Sequence, residues 1–193
     1  MGSAMTTFRQ PVSHVLGWAW VVISVFLLVD LVVRGTDFRA VVSGAVLLVT
    51  VGAVYVLAVR PKVVATEEGV RLVNPLREVF VPWADFTWAD VTDVLRVHAG
   101  DQVFRSWSLR ENKRAEVRRN LRRLNGFGEE KDDPRELRPT ERVARTLRSE
   151  AERHKARLAA GGASTGPTVV WSPDAVAALA VPVALWLASL ALL

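Results

Sequence analysis

Three stretches of this chain are almost free of charge, and most charged residues are gathered between the second and the third. Val15 to Val33 is a run of 19 residues broken only by Asp30, Ala40 to Val59 is a second, uncharged run, and Ala175 to Leu193 is a third of 19 residues. About 20 apolar residues in a helix cross the hydrocarbon core of a bilayer. Each run therefore predicts a membrane-spanning helix. The first is too long for the apolar part of a cleaved signal peptide, and no small-x-small site follows it. Only six residues, Arg34 to Arg39, separate the first two runs, so these helices should form an antiparallel hairpin. Small residues let helices approach closely in lipid. They recur at multiples of four at Ala40, Gly44 and Gly52, and again at Ala180, Ala184 and Ala188. Both stripes predict helix packing, with the third span against the hairpin and Pro182 as a candidate kink.

Between the second and third runs the pattern changes to short β-branched and aromatic segments. Val63 to Ala65, Val70 to Val73, Val79 to Val81, Val94 to Val97 and Val103 to Trp107 are each bounded by a turn signal, and they predict strands. Glu68-Gly69, Asn74-Pro75 and Gly100-Asp101 are the turns. The spacing leaves no room for crossover helices, so neighbours should pair as hairpins. Trp83 closes an alternating strand and is expected in the core, whereas Trp88, flanked by polar residues, is expected to be exposed.

Beyond the strands, Ser108-Leu109-Arg110-Glu111 has capping-box spacing and predicts a helix to about Leu124. Its stripe would be Val117, Leu121 and Leu124, and it is the candidate to close the β domain. Asn125-Gly126-Phe127-Gly128 stops it. A second amphipathic helix follows from Thr140 to about Ala160, with Val143, Leu147, Ala151 and Leu158 on one face. Its basic remainder suits either an anionic membrane surface or the β domain. The domain order is thus a tail at 1–14, a transmembrane hairpin at 15–59, a β domain with its helix at 60–125, and a charged linker at 126–139. An amphipathic basic helix at 140–160, a flexible linker at 161–172 and a third span at 173–193 complete it.

The run VRLVNPLREVFVPW resembles the signature of the small bacterial PH-like domain of actinobacterial membrane proteins, the low molecular weight protein antigen 6-like family. The residues that carry the resemblance are Gly69, Asn74-Pro75-Leu76-Arg77, Val81-Pro82-Trp83, the Gly100 turn and Phe104-Arg105-Ser106-Trp107. It covers about a quarter of the chain. It implies a PH-like β sandwich or barrel carried on membrane helices, and it implies no particular activity. Asp85 to Asp90, where Trp83-Ala84-Asp85 is echoed, stands apart as a polar-aromatic insert. The expected fold class is accordingly a three-span α-helical membrane protein plus a small antiparallel β PH-like domain with following helices.

Composition sharpens this picture mainly through charge. From Arg60 to Arg157 lie 22 of the 25 basic and 17 of the 20 acidic residues. Arg60-Pro61-Lys62 closes the second run as a cytoplasmic boundary would under the positive-inside rule. That favours a multi-pass plasma-membrane protein with its β domain in the cytoplasm, although Arg34 and Arg39 in the opposite loop count against it. With no cysteine there is no thiol nucleophile or thiolate metal site. His14, His98 and His154 share no ligand-like spacing, and the phosphate-loop, zincin, nucleophile-elbow and dinucleotide motifs are missing. Neither a catalytic residue, a metal site nor a cofactor is expected. Asp30 would have to support any enzyme or transporter reading, but it stands one helical turn from Arg34, with which it can pair.

The remaining signal is electrostatic. Arg71, Arg77, Arg105, Arg110, Lys113 and Arg114, together with Trp88, form the candidate surface for an anionic lipid or a protein partner. The competing reading is that these arginines serve topology and solubility alone. Nucleic acid is not an expected partner, because aromatic residues do not interleave with the charge. The expected function is a non-enzymatic scaffold or adaptor that meets membrane lipids, a membrane-protein partner or a second copy of itself. The alternative is an accessory subunit of a transporter or envelope-assembly complex.

Overall fold

Two apolar helices interrupt a β-sheet. A computed structural model describes residues 4–110, 139–158 and 166–191. Strand β1 (Ala4–Phe8) leads through two residues into helix α1 (Pro11–Arg34), and helix α2 (Phe38–Val54) returns, ending in a π-helical turn at Tyr55–Val59. Strands β2 (Lys62–Thr66), β3 (Gly69–Val73), β4 (Arg77–Pro82), β5 (Phe86–Val91), β6 (Val94–Ala99) and β7 (Gln102–Arg110) follow as a meander. Helix α3 (Pro139–Leu158), strand β8 (Thr168–Trp171) and helix α4 (Pro173–Ala191) complete the described chain.

The strands form two antiparallel sheets, β1-β2-β3-β4-β8 and β5-β6-β7. Alternation puts Val63, Ala65, Val70, Leu72, Val79 and Val81 on the inner face of the first, and Leu95, Val97 and Ala99 on that of the second. Trp83 is fully buried where the chain passes between the sheets, and its Nε1–H donates to Thr66 O at 2.9 Å. Gly69 is required by close approach: a Cβ there would lie 2.2 Å from Val81 O on the paired strand. Gly100 turns β6 into β7 with φ +56°, a region costly for residues bearing a Cβ.

Helix α3 closes this core. Val143, Ala144, Leu147 and Ala151 recur at helical spacing and are buried with the sheet residues, and His154 stacks on the Trp83 ring at 5.5 Å with the planes 3° apart. The second amphipathic helix therefore packs on the β domain, in the place expected for the helix from Ser108. Ser106 and Ser108 are buried on β7 with their hydroxyls 3.1 Å apart, so Ser108, the expected helix cap, lies in a strand. The predicted helix beyond Arg110 and the linker at 126–138 lie outside the described residues.

Three further expectations are corrected. The tail supplies β1, because β2 would otherwise be an open edge and Phe8 can pack against the core. Part of the expected flexible linker is β8, which pairs with β4 from Arg77↔Trp171 to Phe80↔Thr168. The apparent insert is β5. A register shift between Phe86 and Trp88 spaces the buried Phe86 and Ala89 three apart, which hides the two-residue period.

The three apolar helices, Pro11–Arg34, Phe38–Val59 and Pro173–Ala191, are long and apolar enough to cross a membrane. Gly44 packs on α1, where its absent Cβ would lie 2.9 Å from Leu31 Cδ2, and Gly52 packs on α4, 2.2 Å from Ala178 O. The α2 stripe thus serves both neighbours. On α4 the packing face differs from expectation: Ala180, Ala184 and Ala188 are exposed, whereas Ala175 and Ser189 are buried and Ala178 and Pro182 meet Gly52. The helix is continuous through Pro182.

Candidate functional site

Arg60 joins the helices to the β domain. It follows the π-helical turn, whose extra residue per turn rotates what comes next by roughly 100° relative to an α-helix, and its amide donates to Tyr55 O. The side chain is 6 % exposed. Its Nε donates to Asp174 Oδ2 at 2.9 Å in the first turn of α4, and Nη2 donates to Glu78 Oε1 of β4 at 2.6 Å. Nη1 donates to Asn74 O at 2.5 Å in the β3–β4 turn. One guanidinium therefore fixes the end of the second apolar helix, the start of the third and the sheet between them. In the sequence alone Arg60 reads only as a boundary charge. The available signal was two opposite charges, Arg60 and Asp174, each at the edge of an otherwise uncharged run.

Around this joint the predicted patch is dispersed. Arg71 lies on β3, 3.5 Å from Glu78 and over the Phe80 ring. Arg77 on β4 stacks over Trp171 of β8 at 4.5 Å. Trp88 and Arg105 belong to the other sheet. Trp88 is 50 % exposed, as expected, but Arg148 of α3 covers one face of its ring at 3.8 Å while donating to Ala89 O. Arg110 ends β7, and its side chain, with Lys113 and Arg114, lies outside the described residues. Asp30 pairs with Arg34 at 2.9 Å near the end of α1.

The outer face of the three-stranded sheet carries an ionic cluster that sequence reading missed, because it depends on β5. Arg96 Nε donates to Asp90 Oδ1 at 3.2 Å, Arg96 Nη2 donates to Oδ2, and His98 Nε2 donates to Oδ1 at 2.9 Å. The Arg96 hydrogen bonds hold the Asp90 carboxyl below its usual range, against its partial desolvation and with help from His98. Asp90 reciprocally raises Arg96.

Beside the cluster, at the helix-bearing end of the domain, is a cleft of about 480 Å³. The β3–β4 turn (Asn74, Pro75), the β5–β6 turn (Thr92, Asp93) and Arg96, Arg105 and Trp107 line it. The Asn74 side chain fixes one wall by donating to Arg105 O at 2.9 Å and accepting from Trp107 N at 2.7 Å. Trp107 also borders a smaller cleft with Leu57, Ala58 and Pro61, at the end of the second apolar helix.

Residues 60–125 match the family model described as a bacterial PH domain. No curated protein and no solved structure matches the chain. The antiparallel sheets, the helix across their core and this match agree, and they identify residues 60–125 as a bacterial PH domain carried on apolar helices.

Proposed function

We propose that the chain is a multi-pass plasma-membrane protein, of the actinobacterial kind it resembles, whose cytoplasmic PH module is a non-enzymatic scaffold that recognises anionic lipid at the bilayer surface. The supporting observation is its attachment. Chain passes between module and apolar helices three times, through Arg9-Gln10, Arg60-Pro61 and Ser172, and no connection exceeds two residues. A module on long tethers could search the cytosol, whereas one held this closely meets whatever lies at the membrane surface.

A second reading, an adaptor for a membrane-protein complex, is favoured by β8. It is an edge strand whose Val169, Val170 and Trp171 are 51 %, 59 % and 56 % exposed. Such an edge is open to strand addition by a partner. Purification of the full chain from native membranes in mild detergent, with mass spectrometry of bound lipids and proteins, tests both readings. Arg105→Gln should deplete anionic lipid, and Val170→Lys should deplete a strand-adding partner. If the unaltered chain retains neither anionic lipid nor a protein, both readings are overturned.

A further inference from the structure

Among the described residues, the cleft between the Asn74-Pro75 turn, the Thr92-Asp93 turn and β7 has one charged side chain without a hydrogen-bond or ion-pair partner, Arg105. Arg96 and Arg105 stand directly opposite each other across β6 and β7. Two like charges so placed repel, and Asp90 compensates only Arg96. Asp93 on the rim is itself partnered. The Arg105 side chain is exposed and makes no hydrogen bond or ion pair with the described residues. Asn74 meanwhile holds the β7 backbone on both sides of Ser106, so Arg105 is presented from a fixed strand.

Position narrows the choice of anion. Arg60, at the end of the second apolar helix, donates to the carbonyls of Asn74 and Pro75, two residues that form one wall of the cleft. Trp107 forms another, and it shares a second cleft with Leu57 and Ala58 at the end of the same helix. Indole rings favour the membrane–water boundary. With the helices in a bilayer, the cleft opens where lipid phosphates lie, and a lipid beside α2 carries its own phosphate to the opening.

Resting on the membrane-surface reading above, we propose that this cleft binds the phosphate of an anionic phospholipid headgroup, with Arg105 as its charged ligand and Asn74 as the positioning residue. A charge-assisted hydrogen bond contributes about 1.5–3 kcal/mol, so loss of Arg105 should weaken binding at least tenfold.

The test uses the full chain in detergent, titrated with phosphatidylglycerol or phosphatidylcholine and read by native mass spectrometry. Arg105→Gln should lose the preference for phosphatidylglycerol about tenfold and Arg105→Lys should restore part of it. Arg71→Gln, an equal charge loss on the other sheet, should keep it. Thermal unfolding first confirms that each variant is folded. A preference intact in Arg105→Gln, or lost equally in Arg71→Gln, overturns the cleft while leaving surface recognition standing. Absence of preference in the unaltered chain overturns both. Competition by soluble glycerol phosphate as effective as the lipid would overturn the lipid as source.

Discussion

Arg60 and Asp174 are 114 positions apart in the chain and 2.9 Å apart in the fold. Their pairing makes the second and third apolar helices and the β domain one unit. Arg60→Ala removes hydrogen bonds to two carboxylates and to the Asn74 carbonyl. Because Glu78 and Asp174 retain access to water, the expected loss is about 1–3 kcal/mol rather than the full cost of a buried unpaired charge. Arg60→Lys should recover little, since an ammonium cannot reproduce the fork. Thermal unfolding in detergent, with hydrogen exchange at β4 and the start of α4, measures this, and protection unchanged at both would refute the joint.

Asp90 gives a pH signature. Its folded-state pKa is depressed, chiefly by Arg96, so its contribution to stability is complete above the unfolded value of about 4 and lost as pH falls through the folded one. The unaltered protein should exceed Asp90→Asn in stability by about 1 kcal/mol or less at neutral pH, because the cluster faces water. The two unfolding curves should converge in acid. A difference that persists at the acidic end would show that something other than the carboxylate charge was lost.

Leu147 tests the placement of α3. It is fully buried among sheet residues, and Leu147→Ala should cost about 2–5 kcal/mol. Leu147→Asp should undock the helix and release His154 from Trp83, detected as lost near-ultraviolet circular dichroism and amide protection. If α3 rested on lipid instead, the aspartate would reduce membrane association and leave the β domain's unfolding unchanged.

Gly52 tests the helix packing. A methyl group there collides with the Ala178 carbonyl, which is backbone and cannot turn aside. Gly52→Ala should separate α2 from α4 at a cost of about 1–3 kcal/mol, whereas Ala184→Leu on the exposed face should be tolerated. Cysteine cross-linking between α2 and α4 reports the separation, and equal cross-linking yields in the two variants would contradict the assigned faces.

The sequence by itself determined the three apolar helices, the hairpin of the first two and five of the eight strands among the described residues. Length, charge exclusion and two-residue alternation are properties of neighbouring positions. The VRLVNPLREVFVPW run likewise carried the PH likeness, because its turn and its glycine answer to local geometry. Tertiary structure alone decided the rest. β1 and β8 are short segments that become strands because β2 and β4 offer them edges, and β5 is concealed by its bulge. The amphipathic face of α3 suited lipid and protein equally until the open core beneath Trp83 took it. The expected patch separated because Arg71 and Arg77 belong to strands of one sheet and Trp88 and Arg105 to strands of the other, while α3 engages Trp88. The Arg60 joint, the Asp90 cluster and the Arg105 cleft each combine residues from different elements, and only the folded chain brings such groups within hydrogen-bonding distance.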